Sequence, residues 1–238
     1  MLLKNIILEK IFVGKPQTLG QKDAKSAMDK EWTSGIVKKP VEGKVWLGRT
    51  NLVGDGQADL KYHGGPDKAV LAYACTHYAK WQTELGIEQM KPGALGENFA
   101  IDNQTEAEVC IGDLYQIGEA IVQVSQPRQP CWKPARLWKV KDLALRIQNT
   151  GRTGWYLRVM QEGYVESGQP ITLLERPYPE WTIAKCNQIM HQQPYDREAT
   201  QQLASCKLLS ENWRNTLWKR VEKGENPDIR GRVIGPNE

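Results

Sequence analysis

IGDLYQIGEAIVQVSQPRQPC, Ile111 through Cys131, decides how the whole chain is read. Its apolar residues come in short runs, and Gly112 and Gly118 fall where turns are needed. Short strands are expected over Glu108–Ile117 and Glu119–Gln126. Alternation in the second is only partial, because Ile121 and Val122 adjoin. The run ends in Gln126-Pro127-Arg128-Gln129-Pro130-Cys131-Trp132-Lys133. Two prolines directly after a strand stiffen this loop, so that it can hold one side chain in a fixed place.

Outward from this core, Ile6–Val13, Val41–Leu47, Gly96–Ile101, Trp155–Met160 and Ile171–Leu174 also read as strands. A helix is expected over Asp67–Leu85, where Val70, Ala74, Tyr78, Trp81 and Leu85 recur at spacings of three and four. Lys141–Asn149 reads as another, stopped by Gly151. Many short strands with few helices point to a mainly β chain closed into a barrel. Pro177 and Pro179 mark a change of character near Arg176. Beyond it Thr182, Asp196 and Ser210 each precede a helical pattern. The expected organisation is a barrel domain over 1–176 and a three-helix domain over 177–238.

Composition narrows the function classes. The 238 residues are 40% hydrophobic and 25% charged, ordinary for a folded globular chain. A net charge of +4, from 32 basic and 28 acidic residues, is too mild to demand nucleic acid as a partner. Trp213, Arg214, Trp218, Lys219 and Arg220 form the one basic-aromatic stretch. Glu211, Glu222, Glu225 and Asp228 dilute it, and helix packing accounts for its tryptophans. The five cysteines lack a CxxC pair, which argues against a disulfide framework and a cysteine-rich zinc site. With no apolar run of membrane-spanning length and no leader-like segment, a cytoplasmic location is expected, without a membrane partner.

Four groups of residues carry chemistry. His63-Gly64-Gly65-Pro66-Asp67-Lys68 would place glycines, backbone N–H groups and two basic side chains around an anion, or else is a tight turn before a helix. Cys131, between Arg128 and Lys133, sits among charges that favour a thiolate, a soft ligand for a transition metal. The alternative is a buried structural cysteine. Thr33 and Ser34, with Lys38, offer hydroxyls and a cation. Gly151-Arg152-Thr153-Gly154 is a second glycine-rich anion loop, or a helix stop followed by a strand. The motifs GxSxG, P-loop, GxGxxG and HExxH do not occur.

Taken in order, Tyr62–Ala69, Leu95-Gly96-Glu97-Asn98-Phe99, Ile111-Gly112-Asp113 and Gln126–Cys131 resemble the MOSC superfamily, named for the C-terminal domain of molybdenum-cofactor sulfurases. The resemblance covers roughly residues 1–175 and is closest to the YiiM-like subfamily with its three-helix extension. It implies a β-barrel holding a molybdopterin-type cofactor, with Cys131 as the molybdenum ligand and catalytic residue. It also implies reduction of N-hydroxylated compounds, including purine bases, in a detoxifying role. A non-catalytic cofactor carrier is the alternative. The family's early lysine falls on Lys38. For Thr33, Ser34, His63, Gly64, Gly65, Asn98, Arg128, Gln129 and Arg152, cofactor contact is inferred from residue chemistry. No flavin or iron–sulfur motif is present, so a separate flavin or iron–sulfur protein would supply electrons. Trp132, directly after the cysteine, would narrow access to the metal.

Overall fold

A computed structural model of the chain describes residues 5–238. Its strands are β1 (Ile7–Val13), β2 (Gln17–Leu19), β3 (Trp32–Ser34), β4 (Lys39–Pro40), β5 (Val45–Leu47), β6 (Val70–Ala74), β7 (Phe99–Asp102), β8 (Leu114–Ile117), β9 (Ala120–Pro127), β10 (Trp155–Gln161), β11 (Gly163–Val165) and β12 (Ile171–Glu175). Its α-helices are α1 (Leu60–His63), α2 (Thr76–Leu85), α3 (Lys133–Trp138), α4 (Leu143–Thr150), α5 (Ile183–Asn187), α6 (Arg197–Ala204), α7 (Glu211–Lys223) and α8 (Arg230–Val233).

Eight strands form one sheet in the order β12-β8-β9-β10-β6-β7-β1-β4. Among the described strands of this sheet, β6 and β7 pair in parallel and the other neighbours antiparallel. The sheet curls until its ends meet: Leu8 N–H donates to the Gln169 carbonyl at 2.9 Å, and Ile171 N–H to the Ile6 carbonyl at 2.9 Å. Curling lets one face supply a common core while it covers most of the exposed edge. The β8–β9 hairpin turns on Gly118 and Glu119, with Gly118 at φ +56°.

The expected helix over Asp67–Leu85 is corrected in its first half. Pro66–Lys68 is a single 3-10 turn, Val70–Ala74 is the strand β6, and only Thr76–Leu85 is helical. Every residue of β6 is buried, because it lies between β7 and β10 in the sheet interior. A strand covered on both faces is apolar at each position, so its helical spacing was incidental. The strand expected over Glu108–Ile117 shrinks to β8. Asp113, fully buried, pulls the preceding residues into a turn by accepting from Cys110 N–H at 2.9 Å and from the Tyr115 hydroxyl at 2.9 Å. Arg176 closes the same carboxylate with two bonds of 2.8 Å.

Beyond Arg176, Thr182, Asp196 and Ser210 cap α5, α6 and α7 by accepting from the N–H groups of Lys185, Ala199 and Trp213. One apolar cluster runs from Leu8 and Trp155 in the barrel to Leu203, Trp213 and Leu217 in the tail. Trp213 is fully buried, so the basic-aromatic stretch turns its ring inward rather than toward a partner. Among the described residues no helix is long and apolar enough to cross a membrane.

Gly154 links this scaffold to the proline loop. It sits at φ +73°, and a Cβ there would strike the Ala72 carbonyl of β6. Its own carbonyl accepts from Arg128 N–H at 3.1 Å. Gly154→Ala is therefore expected to cost about 1–3 kcal/mol. Urea unfolding measures this; an unchanged midpoint would show that the close approach carries no weight.

Candidate functional site

The proline loop leaves β9 at Pro127 and runs into α3. It is fastened at both sides of Cys131 by the C-terminal segment. Trp132 N–H donates to the Arg232 carbonyl at 2.8 Å, and the Arg232 guanidinium donates to the Pro130 carbonyl. Asn237 donates to the Trp132 carbonyl at 3.2 Å and accepts from Arg136 Nε at 2.8 Å. Cys131 itself stays half-buried, at the junction of a small pocket and a cleft of about 1180 Å³. The pocket reaches down to Ser34, Lys38, Asp55, Asn98 and Arg128. The cleft opens the other way, between the barrel and the tail helices, past Trp132 to His191 and Arg220.

The structure brings Ser34, Lys38, His63, Asn98, Arg128, Gln129 and Cys131 to one pocket, and Thr33 to the adjoining cleft. Several of these polar groups already have protein partners: Ser34 Oγ accepts from Ile36 N–H at 3.1 Å, one Arg128 nitrogen donates to the Leu95 carbonyl at 3.0 Å, and Lys38 and Asn98 are bound most fully. The Lys38 ammonium pairs with Asp55, which also accepts from Gly14 N–H at 2.9 Å and from the Asn98 amide at 2.9 Å. The Asn98 amide oxygen accepts from Leu71 N–H at 3.1 Å. These residues thus shape the wall and hold β1, β6 and β7 together. Burial lowers the Lys38 pKa, with Asp55 opposing.

Arg152 does not line either space. Its guanidinium stacks on Trp81 at 3.8 Å and pairs with Glu84 at 2.7 Å, so the anion-loop reading of Gly151–Gly154 is replaced by a helix stop and a packing site. Gly64 and Gly65 join α1 to the 3-10 turn, and only their neighbours His63 and Lys68 line the pocket. The expected anion site at the start of an Asp67–Leu85 helix falls with that helix.

Lys133, read from sequence as a cation beside Cys131, lines the site as well; Tyr156 and Arg232 also line it and were not singled out from sequence. Tyr156 alternates with buried Trp155 and Leu157 on β10, and that period is the signal that turns it toward the pocket. Burial pushes its phenol up to about 12, so it stays protonated. Buried atoms without a protein partner include His63 Nδ1, Gln126 Oε1 and one Arg128 Nη. The lining cations Lys68, Arg128, Lys133, Arg136, Arg220 and Arg232 have no carboxylate partner among the described residues. A lining of this kind suits a large, polar, anionic ligand.

Metal binding by protein side chains alone is not built here. No three His, Cys, Asp or Glu side chains converge among the described residues. Cys131 fits instead as a single thiolate ligand to a metal that another molecule carries in. The unpartnered donors beside it fit that molecule's polar and anionic groups.

Two half-buried histidines make the fold sensitive to acid. Burial, reinforced by Lys133, lowers His63 to about 4, and burial with Arg232 and Arg220 lowers His191 to about 3. Unfolded, both return to about 6.5. Above that pH both states are neutral and nothing is lost. As pH falls toward 4 the unfolded chain takes up protons that the native chain refuses, so stability drops. Between pH 7 and pH 5 the loss is about 1–2 kcal/mol per histidine. Urea titrations at the two pH values should show a shallower fall in the His63→Asn/His191→Asn double variant. An equal fall in both proteins would contradict this origin.

Comparison with known proteins fits this geometry. The MOSC domain model matches residues 59–172, and the model of the YiiM-like, 3-alpha helix domain matches residues 181–224. The chain is 42% identical over 211 residues to YflK of Bacillus subtilis (strain 168), covering 89% of this chain and 92% of that one. It is 38% identical over 169 residues to a protein of Gibberella moniliformis named a reductase, covering 70% of this chain but 30% of that longer one. The crystal structure of YiiM from Geobacillus stearothermophilus superposes with a TM-score of 0.75 at 38% identity, covering 91% of this chain and 99% of that one.

Proposed function

The chain belongs to the MOSC domain family, in its YiiM-like branch, and on that premise we propose that it is a molybdenum-cofactor-dependent reductase of N-hydroxylated compounds. The observation that carries this reading is Cys131. It is held at a cation-lined cleft, with unpartnered donors around it and, among the described residues, no competing metal-ligand cluster. The family is associated with molybdenum cofactor, and the relative named a reductase supports oxidoreductase chemistry.

When bound, the cofactor supplies two-electron chemistry at molybdenum. Cys131 would be the metal's protein ligand. Arg128, His63 and Lys68 would hold the pterin's polar groups, and Gln129 would contact it from the loop. Tyr156 presents a phenol that stays protonated through the physiological range, so it can donate a hydrogen bond to a substrate oxygen. His63, neutral at physiological pH, offers a donor or an acceptor without adding charge. Trp132 narrows the approach to Cys131 and favours flat substrates such as purine bases. The overall reaction takes an N-hydroxylated amine, two electrons and two protons to the amine and water. The electrons come from a separate flavin or iron–sulfur protein.

The test is turnover of an N-hydroxylated purine base by protein from a cofactor-competent host, with a reduced viologen dye as donor. Amine formed in step with dye oxidation is the expected result. Stoichiometric cofactor with no turnover on any N-hydroxylated substrate would instead make the protein a carrier.

A further inference from the structure

We infer that the tail-side end of the large cleft, built by Arg220, Arg232 and His191, is a phosphoryl-binding subsite, so that the chain takes a nucleotide-sized phosphorylated ligand. The placement follows from α7. Asn212, Thr216 and Arg220 recur every four residues on that helix, and all three line the cleft. Arg220 is 7% exposed. Two of its nitrogens donate to the Ile189 and Met190 carbonyls, at 3.1 and 2.9 Å, and Nε is left without a partner. Arg232 donates to the Pro130 carbonyl and, at 2.6 Å, to Gln148 Oε1. Every side-chain or carbonyl acceptor of these two guanidinium groups is neutral, and among the described residues neither has a carboxylate partner.

His191 lines the cleft beside them with Nε2 buried and unpartnered. It stays neutral, because burial, with Arg232 and Arg220 adding to it, opposes its protonation. A neutral imidazole on the same cleft wall offers a hydrogen bond without a third charge to desolvate. Among the described residues, no carboxylate that lines the cleft pairs with Arg220 or Arg232. Glu31 and Asp228 are exposed, and Asp59 is half-buried and caps Tyr62 N–H. Arginines that face a cleft without a carboxylate partner are the groups that recognise phosphate through charge-assisted hydrogen bonds.

The ligand chemistry is a phosphate ester or diphosphate whose body extends toward Cys131, since Arg232 touches both the subsite and the Pro130 carbonyl. Gln126, 2% exposed with Oε1 unpartnered, lines the same cleft and would accept from a polar heterocycle. The phosphoryl group can come from a phosphorylated substrate or from a nucleotide extension of the cofactor. The inference borrows the purine probe from the proposed function, but none of its readouts involves molybdenum or turnover, so the two can fail separately.

The experiment is calorimetric titration of the full-length chain with adenosine and adenosine 5′-monophosphate, for wild type and Arg220→Gln. Pterins released from each protein are identified by mass in parallel. The monophosphate should bind at least about tenfold tighter than the nucleoside to wild type, and the preference should fall to about twofold in the variant, with adenosine affinity unchanged. That result with a bare pterin monophosphate retained equally by wild type and Arg220→Gln points to the substrate as source, and its loss from Arg220→Gln points to the cofactor. A nucleotide-extended pterin that co-purifies with wild type and is lost from Arg220→Gln points to the cofactor. Equal binding of nucleoside and monophosphate, with the same bare pterin in both proteins, would overturn the subsite. Should Arg220→Gln fail to fold, wild type alone decides: inorganic pyrophosphate that displaces the monophosphate supports the subsite, and failure to displace it overturns it.

Discussion

Cys131→Ser should lower kcat with N-hydroxylated substrate and reduced dye by at least about 10³-fold, while melting temperature and secondary structure stay at wild-type values. The size follows from the proposed role of Cys131, whose loss would remove the protein's ligand to a metal that carries the reaction. Preservation of the fold follows from the loop's fastenings. Trp132 N–H, the Pro130 carbonyl and the Trp132 carbonyl are all held by the C-terminal segment, and none of these bonds uses the Cys131 side chain. Serine is nearly isosteric but a far poorer ligand for a soft metal centre. Activity within tenfold of wild type would remove Cys131 from the chemistry and leave it a structural thiol.

Asp55→Ala should have the largest effect on stability, about 3–5 kcal/mol, seen as a melting temperature lower by roughly 6–20 °C. Asp55 is 1% exposed, and its carboxylate serves three donors at once: Gly14 N–H, the Asn98 amide and the Lys38 ammonium. Alanine leaves the last of these a buried charge with no counter-ion, while burial already lowers its pKa. Removing both charges should be milder, so Asp55→Ala/Lys38→Met should recover part of the loss. A drop below about 2 °C in the single variant would mean that water solvates Lys38 in the native state.

Asp55 also marks the limit of what the sequence discloses. It stands in an unpatterned stretch, Gly54-Asp55-Gly56, and only the closing of β1 and β7 around it makes it a hub. Lys38 was legible as a site residue, but its partner was not, because ion pairing between residues seventeen apart depends on tertiary geometry. The proline loop was legible because its stiffness is local. The strand identity of Val70–Ala74 was not, since a fully buried strand and one stripe of a helix share their apolar positions. Arg152 misled for a related reason: an arginine between glycines has the composition of an anion loop, but nearby Trp81 and Glu84 satisfy it. The tail helices read correctly because their caps are local signals. The return of residues 230–238 to clamp the Cys131 loop has no such local mark.

The division proposed at Arg176 separates two kinds of sequence pattern more sharply than it separates two cores. The apolar cluster crosses it, and Arg176 itself is tied back to Asp113. We propose that the two parts unfold together, since neither closes its core alone.

The central claim is that Cys131 holds a molybdenum–pterin cofactor. Its most direct test is the molybdenum and pterin content of protein from a cofactor-competent host, measured by metal mass spectrometry and by fluorescence of the oxidised pterin, beside Cys131→Ala. The account predicts about one molybdenum and one pterin per wild-type chain, with molybdenum lost from the variant. Wild-type protein free of both, or a variant that keeps its full complement of molybdenum, would contradict it.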